Sequence, residues 1–369
     1  MKSKFSFILL LCLSLLAGPL FGQGAREAGS VAKEQRTVVD HNGDVVSLPD
    51  DIQRIVISSL LPLPSVYCLF EGDASKLVGM HPSSMAAAKN SILPDIMPDI
   101  VNVNSSFVSG GEMNIEEVVK LKPDVVFYNA SNKTEREKLK AAGIPAVAFS
   151  ASKWNYNVIE TFNAWVELLG EVLQQESKAS GITEYANEVY AFIQDRLASA
   201  PDLKKPKAMV LYTNKNGIIN ISGETSFGQF WLDSTGGENI AAHVPGFSPT
   251  VNMEQIYEWN PDIIYITNFV PLLPEDFYNN VIEGQDWSHV KAVKEGKVYI
   301  SPLGMYRWTP PSSDVPVALL WMATCNQPEL FADIDIREEV RSYYKRFYHM
   351  DLSESQLDRI FSPSREAAY

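Results

Sequence analysis

The chain has 369 residues, a formal net charge of −14 at pH 7, 46% hydrophobic residues and three cysteines. That length holds two ordinary domains with proper cores. So acidic a balance argues against nucleic acid or an anionic membrane surface as partner and leaves a cationic protein surface open.

The first residues stand apart from any domain. Lys2 and Lys4 precede an apolar run, Phe5 to Ala17, and then a small, turn-prone stretch, Gly18 to Gly24. This is the pattern of a secretory signal peptide over 1–24, too short for a membrane span, with Gly22, Gly24 and Ala25 all acceptable at the cleavage point. Cys12 follows bulky Leu11 and is separated from Lys4 by only seven residues, so it reads as part of the apolar run and not as a lipid-attachment cysteine. The mature protein is therefore expected to be periplasmic. Cys68 and Cys325, each inside an apolar helical pattern, read as free buried thiols.

Residues 25–35 are polar without periodicity, a flexible tether. From Arg36 the segment alternates around Asn42-Gly43, a strong hairpin signal. Short apolar strands then recur at Arg54–Ser59, Leu77–Met80, Val125–Tyr128 and Ala146–Phe149, separated by helical stretches, which predicts an α/β lobe over 36–153. Between Asn155 and Ala200 the apolar spacing is helical, interrupted only at Gly170 and Ser180-Gly181, and 154–200 is expected to be a connecting helix. A second lobe follows over 201–362, with strands at Ala208–Tyr212, Gly217–Ile221, Ile263–Ile266 and Lys297–Ile300 and helices near Pro316–Cys325 and Arg337–Tyr348. Residues 363–369 read as a frayed tail.

Two segments 138 positions apart repeat one pattern. NIEEVVKLKPDVVFY (Asn114–Tyr128) and NMEQIYEWNPDIIYI (Asn252–Ile266) each start with Asn, carry Glu at the third position and reach Pro-Asp before an apolar strand. Asn caps a helix, Glu complements its dipole, Pro ends it, and the apolar run suits a buried parallel strand. The fold class is thus α/β: two Rossmann-like βα lobes joined by a single long α-helix, with one glutamate at the same corner of each lobe.

No phosphate loop, dinucleotide fingerprint, nucleophile elbow or zinc-protease motif is present, and the five histidines are scattered singly. Ligands of open α/β sheets bind beyond the carboxyl ends of the strands. That rule selects Ser59, His81, Phe107, Asn129, Trp154 and Tyr156 in the first lobe, and Asn214, Phe227, His243, Asn268, Tyr306, Arg307 and Trp308 in the second. Polar-tipped aromatics with one arginine suit a bulky, partly anionic ligand with flat apolar surfaces.

The opening TVVDHNGDVVSLPDDIQRIVIS, the paired N-x-E…PD segments, TGGENIA at Thr235–Ala241 and WSHVKAVKEGKVYISP at Trp287–Pro302 together resemble the substrate-binding proteins of bacterial ABC importers. The resemblance is to the class that serves ferric siderophores, haem and cobalamin. It covers almost the whole mature chain and implies two lobes on a helical strut that move little on closing and hold the ligand in the cleft between lobes. It also implies a non-enzymatic, monomeric receptor with no cofactor of its own, which captures a metal chelate and hands it to a permease. Docking by one glutamate per lobe onto arginines of the membrane subunits maps to Glu116 and Glu254, with Glu117 a neighbouring alternative. Some members complete an iron centre with a His and a Tyr, for which His243 and Tyr306 are the matching residues. A receptor for a free metal ion and an exported enzyme are the competing classes; the first needs three or four converging ligands and the second an activated nucleophile.

Overall fold

The computed structural model describes residues 36–368; the expected signal peptide, the whole of the expected tether and Cys12 lie outside the described residues, as does Tyr369. The described chain opens on an antiparallel hairpin, β1 (Thr37–Val39) and β2 (Val45–Ser47). Its five-residue loop is organised by Asp40, whose Oδ1 accepts the N–H groups of Asn42 and Asp44, while Gly43 takes the left-handed conformation at φ 82°.

The first lobe follows as β3 (Ile55–Ile57), α1 (Leu63–Glu71), β4 (Leu77–Met80), α2 (Pro82–Asn90), α3 (Leu93–Ile96), a small hairpin β5 (Val108–Ser109) and β6 (Glu112–Met113), α4 (Ile115–Lys120), β7 (Val125–Asn129), α5 (Lys133–Ala141) and β8 (Ala146–Phe149). Its sheet is wholly parallel in the order β4-β3-β7-β8. Every residue of β3 is buried, as a strand covered by helices on both faces requires.

The segment expected as one connecting helix is a helical hairpin preceded by a loop. The helices are α6 (Val158–Leu173) and α7 (Glu176–Ala198), parted where Gln174 turns left-handed at φ 56°. No glycine marks this break. Gly170 instead lets the hairpin close, since a Cβ there would lie 2.8 Å from the Ala179 side chain. The long strut is α7, about 34 Å at 1.5 Å per residue. Its start meets the first lobe, where Lys178 donates to the Glu71 carbonyl, and its end meets the second, where Arg196 pairs with Asp333.

The second lobe comprises β9 (Lys207–Lys215), β10 (Ile218–Ile221), α8 (Phe227–Ser234), β11 (Glu238–Asn239), β12 (Thr250–Val251), α9 (Met253–Trp259), β13 (Ile263–Ile266), α10 (Pro274–Tyr278), α11 (Lys291–Lys294), β14 (Val298–Ile300), α12 (Val315–Asn326), α13 (Ile336–Tyr348) and α14 (Glu354–Phe361). Its sheet runs β12-β10-β9-β13-β14, parallel from β9 through β14 and antiparallel on the other side.

The sequence repeat is also a structural one. Asn114 and Asn252 cap α4 and α9, and both helices end in a left-handed residue, Lys122 and Asn260, ahead of the proline. Asp124 then accepts the N–H groups of Gln53 and Arg54 at the start of β3, and Asp262 accepts that of Lys207 at the start of β9. Each Pro-Asp thus ties a strand to its parallel neighbour.

The C-terminal residues, expected to fray, are docked. A last 3-10 turn, Arg365–Ala368, buries Ala367, and Arg365 forms a two-pronged pair with Asp276 at 2.6 Å for each bond. Nothing in the local composition announces a tertiary ion pair 89 residues away. Cys68 is buried and Cys325 half-buried, both as free thiols. No helix among the described residues is long and apolar enough to cross a membrane.

Candidate functional site

The lobes meet through an aromatic run. Tyr156, in the loop leaving the first lobe, packs on Phe227 and Phe247 of the second, each at 5.2 Å between centroids. Phe247 meets Tyr212, Tyr212 meets Phe269, and the Arg307 guanidinium lies 4.7 Å from the Phe269 centroid. Asn155 and Tyr156 both sit at positive φ, 51° and 60°, uncommon for a bulky side chain and maintained only where packing dictates it. A cavity of about 50 Å³ opens among Tyr212, Ser222, Phe227, Gly228, Phe247, Thr309 and Pro310.

Arg307 is the chemical centre of this junction. It is only 4% exposed, and no carboxylate lies within ion-pair distance of it among the described residues. One Nη2–H donates to the Ala367 carbonyl at 2.9 Å, while its buried Nε–H has no partner. The neighbouring Tyr306 hydroxyl and Asn268 Oδ1 are likewise buried without partners, although Asn268 spends its amide N–H on the Ser301 carbonyl. A buried guanidinium lacking a counter-charge is costly, and an anion that completes its hydrogen bonds relieves that cost.

The loop carrying these residues is fixed from behind. Asp314, fully buried, accepts the Met305 N–H at 2.8 Å and the Tyr344 hydroxyl at 3.0 Å, and burial raises its carboxyl to about 6. Neither Asp314 nor Tyr344 was legible as a site residue, because each acts through a loop remote in sequence.

A second, more open hollow of about 210 Å³ lies at the strand ends of the first lobe, lined by Ser59, His81, Asn132, Glu135 and Lys138 among others. Ser59 donates to the Glu135 carboxylate and accepts the Asn129 N–H. Burial pushes the Glu135 carboxyl up and the His81 imidazole down. His81 Nδ1 accepts the Ser83 N–H, so a neutral ring carries its proton on Nε2. Asn129 Oδ1 is taken up locally, accepting from the Ser131 N–H and hydroxyl. Glu135 was missed by the sequence reading; its capping pattern with Asn132 was visible, but its burial was not.

Several expected site residues lie elsewhere. Phe107 is fully buried in the first lobe's core with Val56, Val118 and Tyr128, too deep to touch ligand. Trp308 is 2% exposed and packs on Trp321 and Phe361 at 6.0 Å, so it is core rather than a ligand platform. Trp154 stands edge-on to His41 at 4.9 Å and does not join the aromatic run, where Tyr156 takes the place expected of it. Asn214 is held in a reciprocal amide pair with Gln285. His243 is exposed on Trp259, whereas Tyr306 is buried with its phenol pushed up, so one metal ion bound by both side chains does not fit. Among the described residues no group of three His, Cys, Asp or Glu side chains could hold a metal ion.

Glu116 and Glu254 occupy the second position of α4 and α9, both exposed and without an ion-pair partner among the described residues. Glu117 is engaged with Lys120 at 2.6 Å, which leaves Glu116 as the free equivalent of Glu254.

Comparison with known proteins agrees with this architecture. Residues 66–302 match the periplasmic binding protein family. A crystal structure of a periplasmic solute binding protein from Veillonella parvula superposes with a TM-score of 0.79 at 38% identity, covering 89% of this chain and 98% of that one. The molybdate-binding protein MolA of Haemophilus influenzae is 26% identical over 340 residues, 86% of this chain and 92% of its own length. An iron-uptake system-binding protein of Bacillus subtilis is 26% identical over 317 residues, 81% of this chain and 90% of its own. With its two βα lobes and helical strut, the chain belongs to the periplasmic binding protein family, the substrate-binding proteins of ABC transporters, and is a solute-binding protein rather than an enzyme.

Proposed function

We propose that this protein captures an anionic metal complex, of the ferric-chelate type, in the cleft between its lobes and delivers it outside the cytoplasm to an ABC permease, acting as an exported monomer. The observation that carries the reading is Arg307, a buried cation with an unpartnered Nε–H among aromatic rings. A bare metal cation beside an unneutralised guanidinium is electrostatically disfavoured, which weighs against the free-ion alternative. Tyr156, Phe227, Tyr306 and Asn268 frame the ligand, and Ser59 and His81 line the opposite lobe's rim. Glu116 and Glu254 are the docking residues of this proposal, one per lobe at equivalent helix starts, suited to charge-assisted pairing with arginines.

A second reading is a bare oxyanion such as molybdate. Two observations favour it: the cavity of about 50 Å³ is small, and one relative is named for molybdate. Haem and corrinoid rest on family resemblance alone, and pockets for ligands of such size occupy roughly 300–1,000 Å³. The test is to purify the protein from its native envelope, record its absorbance spectrum and metal content, and measure thermal shifts with molybdate and with a ferric catecholate. A bound metal or a rise in Tm with either anionic complex is expected. Stabilisation by free divalent cations alone would overturn the reading.

A further inference from the structure

We propose that the C-terminal turn, residues 363–368, is a working part of the ligand site: anchored by Arg365 on Asp276, it orients the Arg307 guanidinium and seals that end of the cleft. The inference rests on the reading of Arg307 as the residue that holds the ligand.

The anchoring is specific. Arg365 reaches both oxygens of Asp276 at 2.6 Å and donates to the Pro271 carbonyl at 2.8 Å. Such a fork-on-carboxylate pair fixes direction as well as distance. Two residues on, Ala367 is 2% exposed and its carbonyl takes the Arg307 Nη2–H. The same turn packs against α2 of the first lobe. The preceding α14 is held to that lobe too, through Arg359 on Asp95 at 2.8 Å and Gln356 on the same carboxylate at 2.9 Å. Residues 354–368 therefore touch both lobes and meet the arginine at the Ala367 carbonyl.

The choice of acceptor matters. A carboxylate at this point would neutralise Arg307, whereas a backbone carbonyl fixes the direction of its planar fork and leaves its charge for the ligand. Arg365 and Asp276 are thus positioning residues that act on Arg307 through the turn.

The experiment compares the full chain with a chain ending at Ser362 and with Arg365→Ala, which keeps every backbone group if the shortened chain folds poorly. The first readout is the rate of phenylglyoxal modification at Arg307, mapped by mass spectrometry, alongside Tm. The second is the dissociation rate and Kd of molybdate and of a ferric tricatecholate. Both variants should modify at Arg307 at least tenfold faster than the full chain and release bound probe at least tenfold faster, with Arg365→Lys intermediate. Unchanged protection of Arg307 overturns the proposal. Faster modification with unaltered affinity overturns the reading of Arg307 as ligand-holding, a separate failure. If the full chain binds neither probe, that counts against the anionic ligand, and the modification rate alone still decides whether the turn seals the site.

Discussion

Replacing Arg307 with methionine should separate ligand binding from folding. Three interactions are lost: the bond to the Ala367 carbonyl, the contact with Phe269, and whatever the unpartnered Nε–H gives to ligand. In the empty protein the first, from a charged donor, is worth about 1.5–3 kcal/mol and the second about 0.5–2 kcal/mol. Against them stands relief of a buried charge that no carboxylate compensates, a penalty of several kcal/mol in other buried sites. Methionine fills the stem's volume with a flexible apolar chain. The loss and the relief are of similar size, so the empty variant should melt close to the wild-type temperature. Bound anion, by contrast, loses the charge-assisted hydrogen bond of that Nε–H at about 1.5–3 kcal/mol, or roughly one to two orders of magnitude in Kd. Differential scanning fluorimetry gives the first quantity and titration calorimetry with molybdate or a ferric catecholate the second. An unchanged Kd, or a fall in Tm large enough to explain lost binding by unfolding, would refute the reasoning.

Other consequences can be checked independently. Trp308→Ala should lower stability by about 3–5 kcal/mol, the range for emptying a buried aromatic site, and a chemical-denaturation curve that does not move would contradict its place between Trp321 and Phe361. Glu116→Ala with Glu254→Ala should leave Kd intact and abolish uptake, whereas normal uptake by cells carrying the double variant would remove the docking assignment. Gly304→Ala should cost about 1–3 kcal/mol by overpacking, because a Cβ there collides with the Asp314 carboxylate and the Tyr344 hydroxyl, and the displaced loop should weaken ligand binding as well. Burial, aided by Lys153, lowers the His41 imidazole to about 4. The folded ring holds its proton less tightly than the unfolded one, so stability present above pH 6.5 is lost as pH falls toward about 4. The full effect is about 3 kcal/mol and somewhat less for a partly exposed ring. His41→Asn, which keeps an acceptor for the Ser150 N–H, should flatten that part of the Tm-against-pH curve.

Much of this molecule is written locally. The capped helix, left-handed stop, Pro-Asp and apolar strand occur twice because each is a short-range device: a side chain bonding a backbone two or three residues away, or a ring that forbids further helix. Those features set the α/β class, the lobe duplication, the strut region and the exposed glutamates at helix starts. The shortlist of strand-end loops likewise included Arg307, Tyr306, Asn268 and Tyr156. What local sequence could not decide was which way each aromatic faces. Trp308 and Tyr306 sit two residues apart in one loop, yet one packs in the core against Trp321 and the other stands beside the Arg307 guanidinium. Phe107 went inward for the same reason, and His243 outward onto Trp259. The hairpin break at Gln174 and the docking of the C-terminal turn depend on Ala179 meeting Gly170 and Asp276 meeting Arg365, contacts between surfaces that exist only once the chain has folded. Periodicity and capping are properties of a few consecutive residues; burial and pairing belong to residues far apart in the chain, and only the tertiary structure brings them together.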